Sequence, residues 1–166
     1  MKRIAAVLAV SCLVSSSWAA DDPKKAPPFG EPKLVPEPVF ALPFLTHPTL
    51  QAEAYRAACA KHVTPKQMED SVGRWFTRNQ ALSDQVLAAG KAQTFYGETD
   101  SAKAWTRLRG QQADEIKRMV AENVSSDSFH ACIDGLRQFN NGSMELANYP
   151  VHLQALGIKV PAPPKR

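Results

Sequence analysis

The sequence predicts an all-α protein: a small bundle of four main helices with one or two short C-terminal helical turns, preceded by an extended Pro-rich arm. Three observations predict it. Apolar residues between Leu50 and Phe139 recur at three- to four-residue spacing, the period of a helix with one buried face. No stretch alternates apolar and polar residues as a half-buried strand does. Eight of the 13 prolines fall between Pro23 and Pro48, and three more follow from Pro161. Proline lacks the backbone N–H and fixes φ, so both ends are expected to be non-helical. Proline placement and the helical period divide the chain into a leader (1–19), an extended arm (20–45), a helical body (46–157) and a Pro-rich tail (158–166).

The leader has the order of an export signal. Lys2 and Arg3 are basic, Ile4 to Val14 is apolar apart from Ser11 and Cys12, and Ser17 and Ala19 supply small residues before a cut. The apolar run is about 11 residues, short of the roughly 20 that cross a bilayer, and no later segment is long and apolar enough. The expected location is the periplasm or the exterior. A rival is a lipoprotein anchored through Cys12, since Ala9-Val10-Ser11 places small residues before that cysteine. The whole chain carries 20 Lys+Arg against 16 Asp+Glu. Loss of Lys2 and Arg3 leaves 18 against 16, too balanced for a dedicated nucleic-acid binder.

Residues 21–33 have the composition of a linker. The segment 34–45 is different, because it is apolar and Pro-rich together. Val39, Phe40, Leu42 and Phe44 need covering, either by a groove of the same bundle or by a partner, as extended Pro-rich segments can dock.

Helix 1 is expected from about Thr49 to Val63, on Leu50, Ala54, Tyr55, Ala58 and Cys59. The strongest start signal follows. Thr64 is an N-cap, Pro65 suits the first helical position, and Gln67 completes a capping box. The stripe Met68, Val72, Trp75, Phe76, Leu82, Val86 and Leu87 gives a second helix of about 25 residues, with Gly90 as its stop. Residues 90–99 are a loop carrying Phe95 and Tyr96, a second pair suited to a partner contact. Helix 3 begins near Asp100 or Ser101, and Ser125-Ser126-Asp127-Ser128 breaks it from helix 4, which ends at Asn140-Asn141-Gly142. A short helix over 143–148 and a turn over 151–156 complete the body.

Two cysteines remain after the leader, Cys59 and Cys132, and an exported chain with two cysteines predicts a disulfide between them. A weak alternative is a zinc site of Cys59, His62, His130 and Cys132. His130 and Cys132, however, point about 200° apart on a regular helix. Asn79 and Gln112 interrupt two apolar stripes. They predict a buried amide pair or a polar cleft between helices 2 and 3, because a buried amide needs partners.

No motif for catalysis or for a cofactor is present. G-x-S-x-G, H-E-x-x-H and Gly-rich phosphate loops are all missing. Glu69-Asp70 and Asp114-Glu115 diverge by about 100° on a helix and make no acid/base dyad. The function expected is therefore a non-enzymatic binding or interaction protein with a protein partner: an inhibitor, an immunity-type protein or an accessory of an envelope assembly. The alternative is a bundle-type periplasmic carrier of a small ligand, metal or haem. That needs a cavity near Asn79 and Gln112, or His62 or Met119 turned into an open site.

Overall fold

The computed structural model describes residues 36–160, and among these every regular element is helical. The leader, the lipoprotein alternative at Cys12, the arm as far as residue 35 and the tail from 161 lie outside the described residues.

Helix α1 (Pro38–Cys59) overturns the expected extended arm over residues 38–45 and moves the start of the first helix from Thr49 to Pro38. Pro38 occupies the first turn, where a missing N–H is harmless, and Phe40 N–H and Ala41 N–H bond to the Glu37 carbonyl. Pro43 and Pro48 lie inside the helix, at a cost of about 3 kcal/mol each in an isolated helix. Burial of Leu42, Leu45 and Leu50 is of the same size and offsets it. Ala41, Leu42 and Leu45 are completely covered, and a fully buried leucine contributes about 1.5–3 kcal/mol. Gln112 adds a tie from outside, donating its Nε2–H to the Pro43 carbonyl at 2.8 Å.

Helix α2 (Pro65–Met68) starts as the sequence predicts. Gln67 N–H donates to Thr64 Oγ1, and Thr64 N–H donates to Gln67 Oε1. A π-helical turn (Glu69–Gly73) leads without interruption into α3 (Arg74–Ala92). The wider turn seats Val72 and Trp75 in the core, both fully buried. Gly90 does not stop α3. It is buried inside the helix, where a Cβ would lie 2.5 Å from the Trp105 ring, so its small size serves packing.

Helix α4 (Ser101–Ser126) is capped by Asp100, whose carboxylate accepts from Lys103 N–H at 3.0 Å. Asp127 alone separates it from α5 (Ser128–Asn140). The fifth helix expected over 143–148 is only a 3-10 turn (Leu146–Asn148), because that stretch is spent on anchoring contacts. The Met144 carbonyl accepts from Trp75 Nε1, and Leu146 N–H donates to Asn79. Helix α6 (Pro150–Ala155) follows, and Gly157, with φ +71°, ends it.

The bundle is arranged around α1, which packs against α3, α4, α5 and α6. At its centre Trp75 meets Phe139 edge-on at 5.7 Å, and Phe139 meets Tyr55 in the same way. Cys59 in the last turn of α1 and Cys132 near the start of α5 are both fully buried and stand at disulfide distance, with Cα atoms 5.6 Å apart.

Candidate partner-contact site

The first two turns of α1 and the loop before α4 carry the residues singled out as contact candidates. The structure sorts them into two groups. Leu42 is fully buried and Phe95 nearly so, Phe95 stacking on Trp105 at 6.5 Å, so both belong to the core. Phe40 is 63% exposed, Phe44 is 55% exposed, and Tyr96 has no cover at all. Phe40 and Phe44 are four residues apart and therefore share a helix face. The Phe44 ring leans on the His152 ring of α6 at 4.7 Å, which leaves most of it free.

Val39 faces the other way along the same turns. It lines an open groove of about 310 Å³ together with Phe95, Tyr96, Leu108 and Gln111. The two predicted segments, 39–44 and 95–96, are thus brought together at one end of the bundle. Glu98 and Arg107 form an ion pair on the groove wall. Neither they nor Leu108 and Gln111 stand out in the sequence, since nothing there shows which face of α4 meets the Phe95 loop.

The polar cleft does not form. Asn79 donates Nδ2–H to the Trp75 carbonyl and to Glu145 Oε2, and its Oδ1 accepts from Leu146 N–H at 2.9 Å. Gln112 instead serves α1: besides its bond to Pro43, its Oε1 accepts from Thr46 Oγ1 at 2.7 Å. The two amides are therefore not partners of one another. Each faces a different neighbour, one the C-terminal segment and the other the proline-containing helix.

The alternative zinc set also fails on geometry. Cys59 and Cys132 meet each other, His62 is exposed, and His130 bonds Asp127 Oδ2 at 2.9 Å. No group of three metal-ligating His, Cys, Asp or Glu occurs among the described residues. Met119 is 43% exposed and lines a shallow groove of about 230 Å³ with His47 and Tyr55 between α1 and α4. No helix among the described residues is long and apolar enough to cross a membrane. No protein-family model, curated protein or solved structure matches the chain.

Proposed function

We propose that the protein is an exported, non-enzymatic binding protein that engages a protein partner through the aromatic face at the start of α1. The observation that carries this reading is the Phe40–Phe44 pair, exposed on one helix face, with the exposed Tyr96 on the groove that Val39 of the same turn lines. Single exposed apolar residues are common on any surface, but grouped aromatics mark contact sites. Burying a phenylalanine contributes about 1.5–3 kcal/mol, and two of them at the centre of an interface suffice for a hot spot. The helix beneath is anchored at both ends, by Gln112 and by the cysteine pair, so the face is presented without a folding cost on binding. The expected signal peptide supports export, and a buried cysteine pair at bonding distance fits an oxidising compartment.

Photo-crosslinking in the producing cell tests the contact. A benzophenone side chain placed at position 40, 44 or 96 should trap the same protein, and one placed at Arg118, on a solvated face of α4, should not. Phe40→Asp combined with Phe44→Asp should remove the adduct formed at position 96. Equal trapping from all four positions, or no adduct at any of them, contradicts the assignment.

A further inference from the structure

A second groove lies on a different face of α4. It is open, holds about 370 Å³, and has an apolar floor of Leu87, Trp105 and Ala113. Lys91 and Arg109 stand on its walls, and no carboxylate lines it. Lys91 has no ion-pair partner among the described residues and sits in the last turn of α3, where its charge offsets the negative pole of the helix. Arg109 is only weakly held. One terminal nitrogen is 3.7 Å from Glu53, and its buried Nε has no hydrogen-bond partner. The Nε is enclosed by protein, so the atoms an anion in the groove would meet are the terminal nitrogens of this guanidinium, whose side chain is 35% exposed.

Gly110 points the same way. It lies mid-helix and exposed, where glycine costs about 0.5–1 kcal/mol relative to alanine. No neighbour requires its small size, since a Cβ there would meet nothing within 4 Å. Gly110 lines the groove, so a long side chain at this position would enter it.

We infer that this groove binds a small organic anion with a flat apolar body, its acid group between Lys91 and Arg109 and its body over Leu87, Ala113 and the Trp105 edge. The site is separate from the aromatic face of α1 and does not depend on it.

Titration of the intact, oxidised protein with 2-naphthoate, followed by amide chemical shifts, tests the inference. Saturable shifts are expected at 87–91 and 105–113, with a Kd of about 1 mM, the affinity expected of some 13 non-hydrogen atoms. The neutral isostere 2-naphthalenemethanol should bind about fivefold more weakly, and Lys91→Glu should weaken 2-naphthoate at least as much. Gly110→Leu adds a better helix former and fills the groove, so it should abolish these shifts while helix content is kept. Shifts centred on Phe40, Phe44 and Tyr96, equal affinity for the neutral isostere, or unchanged binding by the Gly110→Leu variant would overturn it.

Discussion

Asn79 shows what a single buried amide does here. It is almost wholly enclosed, and all three of its hydrogen bonds join α3 to itself or to the 145–146 segment. Arg78 reinforces the same joint, donating to both Glu145 Oε1 and the Phe139 carbonyl. Asn79→Ala would strand the buried Leu146 N–H, so a loss of about 2 kcal/mol is expected, visible as a lower urea midpoint with an unchanged slope. Gly135 is set by contact rather than by dihedral angle. A Cβ there would lie 2.1 Å from the Tyr55 ring, and the ring is hemmed in by Phe139. Gly135→Ala should therefore destabilise by about 1–3 kcal/mol, against the usual gain of alanine in a helix. Thermal unfolding of the purified variant checks the sign.

Among the elements, those with local signals were the most legible. Thr64-Pro65 with Gln67 names the start of α2 because capping uses residues only three apart. Asp100 before α4 is of the same kind. The Lys103 backbone N–H, with the Lys103 ammonium beside it, holds the Asp100 carboxyl below its ordinary 3.8. A lowered value in the folded state favours the ionised form. Its contribution is present above 3.8 and lost as pH falls through the lower folded-state value. In an acid titration followed by circular dichroism, the parent should therefore lose stability more steeply below about pH 4 than Asp100→Asn does.

The first half of helix α1, before Thr49, was not legible, because its prolines are a local signal that tertiary burial overrides. Nothing in Val39-Phe40-Ala41-Leu42-Pro43 announces that Leu42 will be enclosed or that Gln112, distant in sequence, will meet the Pro43 carbonyl. The contact candidates were legible as residue types. Their sorting into core (Leu42, Phe95) and surface (Phe40, Phe44, Tyr96) needed the packing. Asn79 and Gln112 stood out as amides within apolar stripes, but which segment each would face depends on the three-dimensional arrangement of helices.

At the scale of the whole molecule, the Cys59–Cys132 pair ties the end of the central helix to α5 across 73 residues of sequence. In the chain-entropy account, a loop of that length stabilises by about 4 kcal/mol. Replacing both cysteines with alanine should lower Tm by about 15 °C for a body of this size, read by calorimetry. The exposed Phe40 and Phe44 lie on the first turns of α1, and the groove with Lys91 and Arg109 lies against α4. Export and closure of this one bond are the core of the proposed function. The most direct test is the intact mass of the protein recovered from its producing cell, with and without reductant, followed by peptide mapping. An N-terminus at or next to Ala20 and a mass about 2 Da below the dithiol form are expected. That deficit should map to a linked Cys59–Cys132 peptide and be restored by reductant. A retained leader with two free thiols, or a lipid on Cys12, would contradict it.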